Sequence, residues 1–391
     1  MTDVMIYVQH LMGIGHQRRM AAIARECSAA GLRVTYVSGG MPVQHLQLGD
    51  SMFVQLPPCR SPDLRFDRLV DEHGAEVDDQ WRDTRRDALL AAWANSDASV
   101  LVVETYPFGR KLMRFELEPL LRAARDDGAV CVSSIRDVID YRPKQKKYQV
   151  MADAANSWFD HVLVHSDPAL VSLDASFPCT SDIAELIEYT GFVREHDLQP
   201  EDAETSAKTT RDGVDEIVVS AGGGAYGQHL LATALDAQPL SAYKNRTWRV
   251  LVGENLPEEA LTQLQCRIQG RAVVERARPD FRALLRRAAV SVSQGGYNTI
   301  MDILASRVRA VVVAYHDDTE REQLIRGRAL ARLDLIELLP DGELSPARLA
   351  RAVDAAMHRS RPQVAVDVSG AVTSARCLAR WAGAKNAGAG A

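Results

Sequence analysis

The sequence predicts an α/β chain of two doubly wound domains, and three observations carry that expectation. Length is the first: 391 residues are many for one core, and two domains are the natural division. The second is an opening strand–glycine loop–helix–strand unit, in which Val4–Val8 runs into Gly13-Ile-Gly15-His16. The third is a second start of the same rhythm, where the strand Glu216–Ser220 meets Ala221-Gly-Gly-Gly-Ala-Tyr-Gly227.

Composition narrows the class. Hydrophobic residues at 46% and charged residues at 25% are those of an ordinary globular protein. A net charge of −6 gives no global argument for nucleic acid or an anionic membrane. Six cysteines are scattered without a C-x-x-C pair, so neither a zinc site nor a disulfide framework is expected, and no metal is invoked. No stretch reaches the roughly 18 apolar residues that span a bilayer. Met1-Thr-Asp3 is followed by a short apolar run without a basic region, so a cytoplasmic protein is expected.

In the first half, a helix is expected from about Arg18 to Ala30, with Met20, Ile23 and Ala24 inward and Gly31 as its stop. Arg33–Val37 follows as a strand. No acidic residue ends that strand to hold a ribose, and the loop lacks the third glycine of the dinucleotide fingerprint, which counts against NAD. Residues 41–93 are less regular, with a strand at Phe53–Leu56 and a helix ending near Trp93. Val100–Val103 is a buried strand that delivers Glu104. A carboxylate there faces the ligand side of an α/β sheet, to orient an acceptor or assist His16, or serves as a cap or ion-pair partner. Val130–Ser134 and His161–His165 are further strands. His161 and His165 share a strand face, but without a third ligand type nearby they read as structural. The basic patch at Tyr141–Tyr148 suits an anionic acceptor or a membrane surface, and more simply a solvated helix start. Tyr189–Val193 is expected as the last strand of the first domain.

The expected boundaries are 1–193, a polar linker at 194–215, a second domain at 216–365, and at 366–391 a terminal helix packing back across the domains with a disordered tail from Gly383. Within the second domain the strands expected are Trp248–Val252, Ala272–Glu275 and Arg309–Ala314. The helices expected are Gln228–Leu235, one ending near Gln269, Phe281–Ala288, Thr319 to about Leu333, Pro346–Met357 and Val372–Trp381. The most informative stretch is Ser291-Val-Ser-Gln-Gly-Gly-Tyr-Asn-Thr-Ile-Met-Asp302. It reads as a strand, a glycine turn at Gly295–Gly296, and a helix capped near Asn298 or Thr299 that buries Ile300, Ile303 and Leu304. A helix start after a strand suits a phosphate, and Asp302, a turn further on, suits sugar hydroxyls. The plainer alternative is an ordinary strand–turn–helix.

Gln294-Gly-Gly-Tyr-Asn-Thr-Ile-Met-Asp302 resembles the signature of nucleotide-sugar glycosyltransferases, and the corresponding segment of MurG-type enzymes of glycosyltransferase family 28. The resemblance implies the GT-B fold, with two Rossmann-like domains facing a shared cleft. It implies that Asp302 holds the donor ribose, although Asp stands where those families have Glu. It also implies that Gln294 stands where they place a phosphate-contacting His. The segment His316–Gln323 resembles the pair that holds the donor sugar, which falls on Glu322 and Gln323. Gly222, Gly223 and Gly224 resemble the donor loop that approaches the diphosphate, and Arg278 lies where the nucleobase lodges.

In the first domain, Gly13, Gly15 and His16 resemble the acceptor-side loop of the same enzymes, where the histidine is the base. They also resemble the Gly-x-Gly-His-x-x-Arg pattern of the nucleotide-sugar hydrolase of pseudaminic acid synthesis. The implied activity is an inverting, metal-independent hexosyl transfer from a sugar nucleotide, a UDP-sugar such as UDP-GlcNAc, with no other cofactor. The partners implied are that donor and an unidentified acceptor, with no nucleic acid. Peripheral attachment at the inner membrane face and oligomeric state stay open. The alternatives are the hydrolase, a sugar-nucleotide 2-epimerase, and a non-catalytic sugar-nucleotide-binding protein.

Overall fold

A computed structural model describes residues 3–12, 14–63, 66–139, 145–194, 211–221, 227–253, 256–268, 270–278, 280–317, 321–363 and 366–388. The chain divides into two compact units, Met1–His196 with Asp367–Ala391, and Asp197–Val366.

In the first unit the elements run β1 (Val4–Val8), α1 (Gly15–Ala29), β2 (Val34–Ser38), β3 (Met52–Gln55), a small hairpin of β4 (Cys59–Arg60) and β5 (Val70–Asp71), and α2 (Asp79–Ala94). They continue as β6 (Val100–Glu104), α3 (Arg114–Asp126), β7 (Val130–Arg136), α4 (Gln145–Trp158), β8 (His161–His165) and β9 (Ile187–Tyr189). The seven-stranded sheet has the order β3-β2-β1-β6-β7-β8-β9, and every neighbouring pair is parallel. β1, β2 and β6 are buried along their whole length, as strands covered by helices on both faces must be. The strand order reverses between β1 and β6, whose register pairs Tyr7 with Val103. The carboxyl ends of those two strands therefore form the unit's topological switch point, where open α/β sheets bind ligands.

The second unit repeats the plan with β10 (Ile217–Ser220), α5 (Gln228–Ala237), β11 (Trp248–Val252), α6 (Glu258–Cys266), β12 (Ala272–Arg276), α7 (Phe281–Arg287) and β13 (Val290–Gln294). It ends with α8 (Tyr297–Ser306), β14 (Ala310–Ala314), α9 (Glu322–Arg332), β15 (Glu337–Pro340) and α10 (Pro346–His358). Its parallel six-stranded sheet has the order β12-β11-β10-β13-β14-β15, so the switch point lies between β10 and β13. Trp248, Val250, Val290 and Val292 are fully buried in its core. The last helix, α11 (Gly370–Gly388), belongs to the first unit, where it packs on α1. Leu378 and Trp381 join Val4, Ile6 and Ile23 in one cluster, and the return of the chain is fixed by a bridge between Val193 and Ser369.

Several expected boundaries move. α1 begins at Gly15, three residues before the expected start at Arg18, because the Arg18 N–H already bonds the Ile14 carbonyl at 3.1 Å. No side chain caps this end, so the sequence offers no capping signal for it. The strand expected across Tyr189–Val193 stops at Tyr189. The tail expected to be disordered from Gly383 is instead helical as far as Gly388, the end of α11. α3 and β15 were not anticipated, although Leu117, Leu120, Leu121 and Ala124 of α3 are buried at helical spacing. α9 starts at Glu322 rather than Thr319, which lies outside the described residues. Of the basic patch, Tyr141–Lys144 lie outside the described residues, while Lys146 and Lys147 are exposed on the first turn of α4. The two strand histidines are structural, as expected. His165 bonds Ser134 and Thr190 at 2.8 Å each, and His161 stacks on Trp381 with ring centroids 3.9 Å apart.

A buried ionic cluster ties the loops of the first unit's switch point. Arg85 on α2 donates to Glu116 on α3 at 2.7 Å, to Gln9 Oε1 at 2.6 Å, and to the carbonyl of Gly39 at 2.7 Å. Tyr7 donates its hydroxyl to the same glutamate. Both members of the Arg85–Glu116 pair are fully buried, so removing either strands a charge, at a cost of about 3–5 kcal/mol. A Cβ on Gly39 would fall 2.2 Å from Arg85 Nη2, which explains the glycine.

Candidate active site

His16 stands in the first turn of α1, just after β1, and Glu104 is the last residue of the neighbouring strand β6. Adjacent strands thus bring together two residues 88 positions apart: His16 Nδ1 lies 2.5 Å from Glu104 Oε1. An ionised carboxylate only accepts, so the proton of that hydrogen bond sits on Nδ1, and Nε2 is the basic nitrogen of the ring. The His16 side chain keeps 22% exposure, while Glu104 has none.

The carboxylate is held from several sides. Arg19 Nη2 donates to Oε1 at 2.5 Å, the Thr105 hydroxyl donates to the same oxygen at 2.5 Å, and Arg110 Nη2 stands 3.7 Å from Oε2. Burial opposes ionisation of Glu104, but His16, Arg110 and Arg19 outweigh it and hold its carboxyl well below the usual range. Burial dominates at His16 and lowers its pKa to about 4 against the pull of Glu104, so the imidazole is neutral near pH 7. The backbone beside the carboxylate is unusual as well. Thr105 has φ +68° and Arg110 φ +59°, and the Tyr106 N–H closes a tight turn onto the Glu104 carbonyl. A β-branched residue at positive φ costs on the order of 1–3 kcal/mol, and such strain clusters at functional sites. His10, the weaker candidate base, is buried with Nδ1 3.1 Å from the Gln17 amide. Gly13 lies outside the described residues, and Gly15 opens α1, where a Cβ would meet no side chain within 4 Å among the described residues.

In the second unit, Gln294 ends β13 and the chain turns through Gly295 and Gly296, whose N–H bonds the Gln294 carbonyl at 2.9 Å. Gly296 is the N-cap of α8 and no side chain caps the helix, which corrects the expectation that Asn298 or Thr299 would. Both instead lie in its first turn, and the positive end of the helix is left to a ligand or solvent. Gln323 flanks the turn, its Oε1 accepting the Tyr315 N–H at 3.2 Å. Glu322 is largely buried and takes Arg326 Nη2 at 2.6 Å, while Arg326 also reaches the Gly295 carbonyl at 3.4 Å. The structure therefore gathers Gln294, Gly295, Gly296, Asn298, Thr299, Glu322 and Gln323 around one turn.

Asp302 lies further along α8, bonded by Arg282 Nε of α7 at 2.6 Å. Asp280 takes the Arg278 guanidinium at 2.8 and 3.0 Å, and Asp212 takes it at 2.7 Å. Gly222, Gly223 and Gly224 lie outside the described residues. Among the described residues no cluster of three or more His, Cys, Asp or Glu side chains is placed to hold a metal ion, and no helix is long and apolar enough to cross a membrane.

The sequence assigns no role to Thr105, Arg110, Arg282 or Arg326, and it shows Arg19 only as the arginine of the Gly-x-Gly-His-x-x-Arg pattern, without a partner. The helix that starts at Gly15 puts Arg19 on the same face as His16, three residues on.

Two parallel doubly wound sheets, each with a glycine loop or turn at its switch point, define the GT-B class of glycosyltransferase folds. Residues 217–369 match the family model of the glycosyltransferase family 28 C-terminal domain. Among curated proteins, it is 24% identical over 217 residues to an uncharacterized glycosyltransferase of Methanopyrus kandleri, an alignment covering 54% of this chain and 60% of the relative. The fold is similar to that of Acinetobacter baumannii MurG, with a TM-score of 0.61 at 11% identity over 97% of this chain and 99% of the other. It is equally similar to the calicheamicin glycosyltransferase CalG4, at 0.60 and 15% over 98% and 94%.

Proposed function

We propose that the protein is an inverting glycosyltransferase that moves a sugar from a nucleoside diphosphate sugar to an acceptor hydroxyl. The observation that carries this reading is the pairing of His16 Nδ1 with Glu104 Oε1 at the switch point of the first sheet. A neutral imidazole with its Nδ1 proton fixed has Nε2 available to take a proton. The acceptor hydroxyl gives up its proton to Nε2 as its oxygen attacks the anomeric carbon. The bond from that carbon to the diphosphate oxygen breaks on the opposite side, which inverts the centre. Glu104 stabilises the imidazolium that forms, and the diphosphate leaves with its charge met by the N-terminus of α8. No metal is assigned a step.

The donor is proposed to be a UDP-sugar, with UDP-GlcNAc as the first candidate, on the likeness of residues 294–302 to the donor signature. Asp302 takes the ribose hydroxyls, and Glu322 and Gln323 recognise the sugar. For Asp302 this requires its oxygens to be shared with Arg282, which orients the carboxylate. The reaction is proposed to be cytoplasmic.

A thermal-shift panel of nucleotides and sugar nucleotides, repeated on Asp302→Ala, tests the donor site. A ligand at 100 times its dissociation constant stabilises by about 2.7 kcal/mol, which shifts a melting transition measurably. A uridine diphosphate species should raise the melting temperature of the natural protein and not of the variant. Stabilisation by NAD with no response to any sugar nucleotide would overturn the reading.

A further inference from the structure

We propose that Arg19 is the third member of the His16–Glu104 pair, a positioning residue that turns Glu104 Oε1 toward His16 Nδ1 and so fixes the basic nitrogen as Nε2. The inference builds on the proposed base and asks what sets its tautomer. Three donors converge on the single oxygen Oε1: His16 Nδ1, Arg19 Nη2 and the Thr105 hydroxyl, each at 2.5 Å. Among the described residues, Oε2 accepts no hydrogen bond. The carboxylate is thus rotated so that one oxygen does the bonding, and among the described residues Arg19 is the only charged side chain that donates to it.

Arg19 is only 7% exposed, and its Nη2 lies 3.3 Å from His16 Nδ1. Both are donors, so that approach is no hydrogen bond. It is tolerable because the same oxygen serves both. A protonated Nδ1 satisfies the oxygen, whereas an Nδ1 lone pair facing Oε1 at 2.5 Å would set two acceptors against each other. The geometry admits one neutral tautomer.

The charged and titratable groups around His16 come from four places. Arg19 lies on its own helix and Glu104 at the end of β6. Arg110 follows that strand, and His10 lies in the loop after β1. His165 on β8 also feels Arg19 and Glu104 but is itself kept neutral by burial. Removing Arg19 deletes a cation from this set, so the imidazolium becomes easier to form, and it releases Oε1 to turn toward Arg110.

The test is nitrogen NMR of histidine-labelled protein, which reads the tautomer and titration of His16 without any substrate. In the natural protein His16 should be the Nδ1–H form across neutral pH. In Arg19→Gln the imidazolium midpoint should rise by about one pH unit or more, as expected when a neighbouring like charge is lost, with a mixture of tautomers. In Arg19→Lys the charge stays and the fork is lost, so the midpoint should hold within about half a unit while the tautomers still mix. An Nε2–H form in the natural protein overturns the proposal, as does an unmixed Nδ1–H form in Arg19→Lys. A titration of Arg19→Gln that superimposes on the natural one overturns it too. Failure of transfer by the natural protein would instead sink the proposed function, while the NMR result on Arg19 would stand.

Discussion

Replacing Glu104 by Gln separates orientation from charge in the proposed base. The amide is nearly isosteric, and its oxygen can still accept from His16 Nδ1, Arg19 and Thr105, so the tautomer survives. What disappears is the negative charge 2.5 Å from the ring, which counts only when the imidazolium forms. An opposite charge at this range moves a pKa by about 1–3 units, and each unit is worth about 1.36 kcal/mol. The transition state should therefore lose about 1.4–4 kcal/mol, and kcat should fall between about tenfold and a thousandfold. The donor is proposed to bind the other unit, so its affinity should not change. The assay is release of the nucleoside diphosphate with an acceptor panel, paired with calorimetry of donor binding. Because Arg19 loses its buried partner, melting of the variant should be recorded beside its kinetics. A folded Glu104→Gln protein with kcat within twofold of the natural one would refute the reasoning.

Three further outcomes follow from the same geometry. Stability should fall on mild acidification. His16 and His165 are held down to about 4 and about 3 in the fold against an ordinary 6.5. The unfolded chain therefore takes up protons first as pH drops below about 6.5. Between pH 7 and 5 each should remove about 2 kcal/mol, visible as a lower urea midpoint at pH 5; equal midpoints would contradict it. Gly39→Ala should destabilise by several kcal/mol, on the order of breaking the Arg85–Glu116 pair, because its Cβ meets Arg85 Nη2 and Gln9 Oε1; a melting curve unchanged from the natural one would show that the cluster relaxes without cost. Gly296→Ala places its Cβ in open space, so melting should be unchanged while donor affinity drops if a phosphate approaches that turn; unaltered affinity would move the phosphate elsewhere.

Much of the scaffold was legible because parallel strands announce themselves as apolar runs. Val4–Val8 and Val100–Val103 are unbroken, Trp248–Val252 is interrupted only by Arg249, and the turn at Gly295–Gly296 after Val290 and Val292 is equally plain. His16 was legible from its glycine loop, and Glu104 from its place at a strand end. What could not be read was who holds them. Arg19 shares a helical face with His16 only because α1 begins at Gly15, and an uncapped helix start leaves no trace in composition. Arg282 reaches Asp302 from the preceding helix, and Arg85 reaches Glu116 across 31 positions, through packing that no local pattern encodes. The Glu322–Arg326 pair is local, but the bond from Arg326 to the Gly295 carbonyl depends on how α9 packs on β14 and β15.

The most direct test is product analysis by mass spectrometry and NMR after incubation with UDP-sugars and a panel of alcohol, phenol and lipid-linked acceptors, for the natural protein and His16→Ala. Glycosyl transfer predicts an acceptor heavier by one sugar, with the anomeric configuration inverted relative to the donor, and none from the variant. Free sugar released at the same rate with and without acceptor would mean that water is the acceptor, and an active His16→Ala would remove the base.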